Sequence, residues 1–149
     1  MQKEDVMAIT KHASAHWQGG LKDGKGTITT ESGALQANPY GFNTRFEGGH
    51  GTNPEELIGA AHAGCFTMAL SLILGEAGLT ATALDTKATV SLDKTDGGFE
   101  ISKVALVLTG TVPGATAEQF AELAAKAKAG CPVSKLFRAE ITLDATLNG

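Results

Sequence analysis

Asn53-Pro54-Glu55-Glu56-Leu57-Ile58-Gly59-Ala60-Ala61-His62-Ala63-Gly64-Cys65-Phe66-Thr67-Met68-Ala69-Leu70-Ser71-Leu72-Ile73-Leu74-Gly75 is the stretch on which the fold turns. Asn53 suits an N-cap, Pro54 the first helical position, and Glu55 and Glu56 the first turn. Gly75 or Gly78 supplies the stop. The 18 residues from Leu57 to Leu74 carry no formal charge. That length reaches the threshold for a membrane span. However, Gly59, His62, Gly64, Thr67 and Ser71 interrupt the run. Glu55, Glu56 and Glu76 flank it where Lys or Arg would be expected. The stretch therefore reads as a buried helix of a soluble domain, with no membrane partner. A helix apolar on all sides needs cover on all sides, and in a short chain a second subunit is the expected source.

The composition leads the same way. The chain has 149 residues, 42% hydrophobic and 19% charged, which is one domain with enough apolar content to fold. It holds 19 Gly but only one Trp, one Tyr and six Phe, so each subunit's core is thin and an oligomer is expected. A net charge of −4 leaves no basic surplus for binding nucleic acid. Met1 to Lys11 has no apolar run and carries Glu4 and Asp5, so no export signal is read there. The expected location is cytoplasmic, and residues 1–12 are expected to be a variable N-terminal segment of a single domain spanning 1–149.

Upstream of the helix, Ala13 to Gly49 is rich in Gly and Thr, with turns at Lys22-Asp23-Gly24 and Asn38-Pro39. It reads as short antiparallel strands and loops. Gly48 to Asn53 reads as a flexible loop. Downstream, Leu84, Ala88, Val90 and Leu92 alternate with polar residues, giving a half-buried strand. Thr95-Asp96-Gly97-Gly98 is a hairpin turn. The return strand, Phe99 to Gly110, moves its apolar residues from odd to even positions, so a bulge is expected near Lys103. Thr116 and Gln119 resemble a capping box for a helix with Phe120, Leu123 and Ala127 on one face. Ala139 to Leu147 is a last strand. With no βαβ repeat, the fold class is α+β.

Two cysteines, Cys65 and Cys131, are too few and too far apart for a disulfide scaffold or a zinc site. Composition leaves open whether they are inert buried thiols or a pair that meets in space. A reactive Cys65 within an apolar helix would need a cation, because burial raises a thiol's pKa. Arg45 is the best candidate, though a surface role is equally open to it. Glu55 favours the helix N-terminus and could also hold the guanidinium of Arg45. It lies ten residues before Cys65, about 15 Å away along one helix. If both serve one site, Glu55 comes from an antiparallel second copy. His62 shares a face with Cys65, and a packed, hydrogen-bonded histidine is its plainest reading. His12 and His16 have the spacing of metal ligands only if helical, and no metal is expected. The glycine-rich loop lacks the ending of a P-loop.

The runs Pro39 to Gly48, Thr52 to Phe66 and Ala129-Gly130-Cys131-Pro132-Val133-Ser134 together resemble the OsmC/Ohr family of thiol-dependent peroxidases. The resemblance covers about Ala15 to Leu147. It implies an intertwined α+β homodimer, with antiparallel sheets wrapped around long central helices and active sites at the subunit interface. It places the peroxidatic cysteine on Cys65, the resolving cysteine on Cys131, the arginine on Arg45 and the glutamate on Glu55. The implied reaction reduces organic hydroperoxides, and hydrogen peroxide less well, through a Cys65 sulfenic acid and a Cys65–Cys131 disulfide. It needs no bound cofactor and an external dithiol reductant, a dihydrolipoyl protein by the family pattern. Phe42, Phe46, Phe66 and Met68 are candidates for an apolar substrate mouth, or equally for plain core. Two other readings stay open: a stress-induced binding or structural dimer, and a Cys65–His62 hydrolase.

Overall fold

A computed structural model describes residues 8–149. Most of the segment 1–12, and with it the reading of the N-terminus as free of an export signal, lies outside these residues. The chain forms two compact units that divide between Pro54 and Glu55.

The first unit holds three strands, β1 (Ala13–Gln18), β2 (Lys25–Thr30) and β3 (Asn38–Tyr40), in an antiparallel sheet of order β1-β2-β3. Trp17 on β1 meets Tyr40 on β3 edge to face, with ring centroids 5.6 Å apart. The two rings close over Gly26 on β2. A Cβ there would come within 2.5 Å of Tyr40 and 2.6 Å of Trp17, so only glycine fits between them. A one-turn helix, α1 (Phe42–Phe46), follows β3 where sequence reading has only strands and loops. Thr44 makes this turn: its hydroxyl accepts the Gly41 N–H at 2.8 Å and donates to the Gly41 carbonyl at 3.0 Å. The loop after α1 is tied back at three points. Gly49 N–H bonds Asn43 O, Thr52 N–H bonds Pro39 O, and the Asn53 amide donates to Thr44 O. Gly51, at φ +130, lets the chain pass Pro39 closely.

The second unit is built on α2 (Pro54–Glu76), β4 (Ala83–Thr95), β5 (Gly98–Thr111), α3 (Ala117–Gly130), α4 (Pro132–Leu136) and β6 (Glu140–Asn148). Helix α2 ends as its glycines predict. Gly78 takes a positive φ of 78°, Gly78 N–H bonds Gly75 O and Leu79 N–H bonds Leu74 O, which is a Schellman stop. Strands β4 and β5 form the expected hairpin, with Asp96-Gly97 at its tip. Their register slips once: Ser91 faces Lys103 but Leu92 faces Ile101, so Ser102 is the extra residue of the expected bulge. Upstream of it Phe99 is exposed; downstream Val104, Leu106 and Leu108 are fully or almost fully buried.

One pairing departs from an antiparallel sheet. β6 runs parallel to β5, from Lys103↔Glu140 to Thr111↔Asn148. The connection passes through α3 and α4, long enough to return the chain to the end where it began, as parallel pairing requires. Thr116 caps α3 by accepting the Gln119 N–H at 3.0 Å.

The core joins Phe66, Leu70 and Leu74 of α2 to Val104, Leu106 and Leu108 of β5 and to Phe120, Leu123 and Ala127 of α3. Each large side chain buried there stabilises the unit by about 1.5–3 kcal/mol relative to exposure. Only one stripe of α2 is buried: Gly59, His62, Phe66, Leu70 and Leu74. Gly59 lets the helix approach β4, since a Cβ would stand 3.4 Å from Ala88 O and Val90. Thr67 ties the same elements together, its Oγ1 lying 2.7 Å from Thr86 Oγ1. The opposite face, with Met68 76% and Leu72 64% exposed, remains uncovered within the chain although α2 is apolar all round.

Candidate functional site

Cys65 lies beside the buried stripe of α2, half-buried and packed on the core. Cys131 joins α3 to α4. Its N–H closes the last turn of α3 on Ala127 O at 2.9 Å, and its carbonyl accepts from Lys135 N at 3.1 Å to open α4. Pro132 at the first position of α4 sets the turn, because its ring fixes φ and it has no N–H to satisfy. Held by both helices, the fully buried Cys131 places its Sγ 2.9 Å from that of Cys65. Both thiols are free.

Their surroundings differ. Burial pushes the Cys65 thiol up, and its contact with Cys131 adds to the shift. Burial would push Cys131 up too. The neighbouring Cys65 thiol and the polar groups of Ser134 and Val133 offset this and hold it below the ordinary value. The sequence argument that Cys65 needs an added cation is consistent with this raised thiol.

His62 is fully buried. Its Nε2 lies 2.8 Å from Ser134 Oγ, and its ring stands edge-on to Phe137 at 5.1 Å. Nδ1 is buried with no hydrogen-bond partner. Burial lowers the pKa of His62, so the ring is kept neutral. The histidine bonds Ser134, not Cys65, which removes the geometry a Cys65–His62 hydrolase would need. Ser134, the hydrogen-bond partner of His62, was not singled out from sequence. The available signal was its place in the Cys131-Pro132-Val133-Ser134 turn, three residues after the cysteine.

Arg45 lies in the last turn of α1, its guanidinium 5.4 Å from the centre of the Phe46 ring. It lines a cavity of about 200 Å³ in the first unit, with Trp17, Leu21, Tyr40, Phe42 and Phe46 among the walls. Phe42 and Phe46 stack at 4.9 Å. Glu55, half-buried, occupies the first turn of α2. The helix is continuous from Glu55 to Cys65, which keeps the two about 15 Å apart along its axis. Of the four residues considered for an apolar mouth, Phe42 is half-buried, Phe46 is 38% exposed and Met68 is 76% exposed. Phe66 is fully buried in the core and offers no surface to a ligand, because it falls on the packed stripe of α2. Among the described residues, no group of three or more His, Cys, Asp or Glu is placed to hold a metal ion.

Fold and site together define an α+β protein with a paired-thiol centre between its long helix and a helix junction. The chain belongs to the OsmC-like protein family, whose model matches residues 47–146. It is 64% identical over 138 residues to the peroxiredoxin OsmC of Escherichia coli K12, covering 93% of this chain and 96% of that one. It is 32% identical over 117 residues to the organic hydroperoxide resistance protein OhrB of Bacillus subtilis, covering 78% and 84%. The crystal structure of that OhrB superposes with a TM-score of 0.66 at 30% identity, over 92% of this chain and 98% of the other. An organic hydroperoxide resistance protein from Elizabethkingia anophelis gives 0.69 at 26% identity, over 96% and 99%.

Proposed function

We propose that this protein is a thiol-dependent peroxidase that reduces organic hydroperoxides, and hydrogen peroxide less well, in defence against peroxide and osmotic stress. The observation that carries the reading is the 2.9 Å approach of Cys65 and Cys131. Closing that gap to a disulfide of about 2.05 Å takes under about 1 Å of movement. The peroxiredoxin and hydroperoxide resistance proteins to which the chain is similar support the same reading.

In the proposed reaction the Cys65 thiolate attacks the peroxide. An S–O bond forms, the O–O bond breaks, and the leaving alkoxide takes a proton to become the alcohol. Cys65 is oxidised to a sulfenic acid. Arg45 stabilises the thiolate and the charge developing on the leaving oxygen, and Glu55 orients Arg45. Cys131 then attacks the Cys65 sulfur: the S–S bond forms, the S–O bond breaks and hydroxide leaves as water. An external dithiol, a dihydrolipoyl protein by family resemblance, reduces the disulfide by exchange and is itself oxidised. No prosthetic group takes part. Phe42, Phe46 and Met68 form the apolar mouth, and Phe66 packs behind the thiol.

The 149-residue chain acts as a single OsmC-like domain in the cytoplasm, as an intertwined homodimer. The exposed apolar face of α2 and the 15 Å offset of Glu55 from Cys65 support a second copy as the source of both cover and glutamate.

The test is a thiol count after one equivalent of cumene hydroperoxide. The reduced wild type should lose two thiols to an internal disulfide, and Cys65→Ser should lose none. Retention of both thiols by the wild type would refute the peroxidase reading and leave a binding dimer.

A further inference from the structure

Cys65 and Cys131 meet at 2.9 Å but lie at different depths. Cys131 is fully buried, in one core cluster with Ala124 and Ala127 of α3. Its backbone is bonded to Ala127 in α3 and to Lys135 in α4, so it cannot be carried outward without breaking both helix ends. Cys65 stands at the edge of the packed stripe of α2. Around the helix, His62 and Phe66 on one side of it are buried, while Ala61, Gly64 and Met68 on the other side are exposed. A Cβ placed on Gly64 would meet nothing within 4 Å, so the space on that side is open within the chain.

A disulfide closed between these sulfurs has an outer atom, Cys65 Sγ, and an inner one, Cys131 Sγ. Exchange requires a thiolate to reach one sulfur and displace the other, and access decides which is attacked. The attack runs in line with the S–S bond, from the side opposite the sulfur that leaves. For Cys65 that line starts away from the buried cysteine. For Cys131 it would start within the core.

We propose that the external dithiol reopens the disulfide at Cys65, and that Cys131 is always the leaving sulfur. The place of this step in turnover rests on the peroxidase reading; the exchange itself needs no peroxide. One thiolate of the reductant attacks Cys65 Sγ, forming a mixed disulfide. The Cys65–Cys131 bond breaks, its electron pair stays on Cys131, and that thiolate takes up a proton. The second thiolate of the reductant then attacks its own sulfur bound to Cys65. The reductant leaves as a cyclic disulfide, and Cys65 is released as a thiolate. Cys131 thus bonds to no sulfur other than Cys65 throughout the cycle. Hydroperoxide and reductant use the same sulfur, one after the other.

The test uses the wild-type chain. Its disulfide is closed with diamide, and 2-mercaptoethanol is added as a monothiol probe. Samples are quenched in acid early in the reaction, denatured, labelled with N-ethylmaleimide and mapped by mass spectrometry. The mercaptoethanol adduct should fall on Cys65 and the maleimide on Cys131, by about ten to one or more. In urea, where both sulfurs are open, the ratio should fall to within about twofold of even. An adduct mainly on Cys131, or divided evenly in the folded protein, overturns the proposal, as does failure of diamide to close the pair. A ratio that survives urea also overturns it, because burial would then not be its cause. If cumene hydroperoxide fails to close the disulfide while the diamide-closed protein still gives the Cys65 adduct, the peroxidase reading falls and the exchange site stands.

Discussion

Cys65 and Cys131 are 66 positions apart in sequence, yet their sulfur atoms lie 2.9 Å apart. One comes from the interior of a 23-residue helix and the other from a junction whose backbone is bonded into two helices. The second sulfur is thus delivered by rigid elements. For this reason Cys131→Ser should stop at the Cys65 sulfenic acid. Mass spectrometry after one equivalent of peroxide should find a single dimedone adduct on Cys65 and no internal disulfide. A disulfide-free wild type under the same conditions would count against the pairing.

Burial raises the Cys65 thiol, so the proposed catalysis needs a cation to bring it down. Arg45→Ala should therefore lower kcat/KM for cumene hydroperoxide at neutral pH by about a hundredfold, in line with loss of one donor to developing charge. The residual rate should rise with pH as more thiolate forms. Stopped-flow consumption of peroxide at several pH values checks both points.

Met68 and Leu72 leave an apolar strip of α2 open to solvent. Placing a charge on it by Met68→Glu should split the proposed homodimer, since an unpaired carboxylate would be buried between the copies. Light scattering across a dilution series should then give the mass of one chain for the variant and two for the wild type. A wild type that runs as one chain at all concentrations would defeat the dimer.

Leu70 is fully buried on the α2 stripe and packed into the core. Leu70→Ala should cost about 2–5 kcal/mol of stability, through lost transfer energy and the cavity left behind. Leu72→Ala, on the exposed strip, should cost well under that when measured on monomeric protein. Denaturant midpoints at constant slope provide the comparison.

The neutral, buried state of His62 has a consequence for acid stability. Its folded pKa is below the unfolded value of about 6.5, so the unfolded chain binds more protons in between. Stability is full above about pH 6.5 and falls as the pH drops toward the folded pKa. His62→Phe should flatten this part of the curve, as read from unfolding free energies between pH 7.5 and 5.

Where neighbours in sequence are also neighbours in space, the chain could be read directly. Alternation marked β4, the change of apolar phase marked the Ser102 bulge, Asp96-Gly97 marked the hairpin, and Thr116 and Gly78 marked a helix start and a helix stop. These features depend on two to five adjacent residues and on steric rules that hold in any fold. Helices α1 and α4 escaped the reading because each is a single turn of five residues, too short to display a period. The site was legible in part. Cys65, Cys131, Arg45 and Glu55 were picked out by residue type and by family pattern, whereas Ser134 had no such mark.

The rest belongs to tertiary packing. The parallel pairing of β6 with β5, the burial of Phe66 on the core side of α2, and the exposure of Met68 on the other side all depend on which surfaces meet. A uniformly apolar helix has no preferred face of its own. The choice between Phe66 and Met68 is made by the sheet and by α3, which have room for one stripe only. The meeting of His62 with Ser134 across 72 positions is likewise an outcome of that packing. Local propensity acts over a few bonds, while the hydrophobic effect and buried hydrogen bonds act on whatever the closed chain brings together.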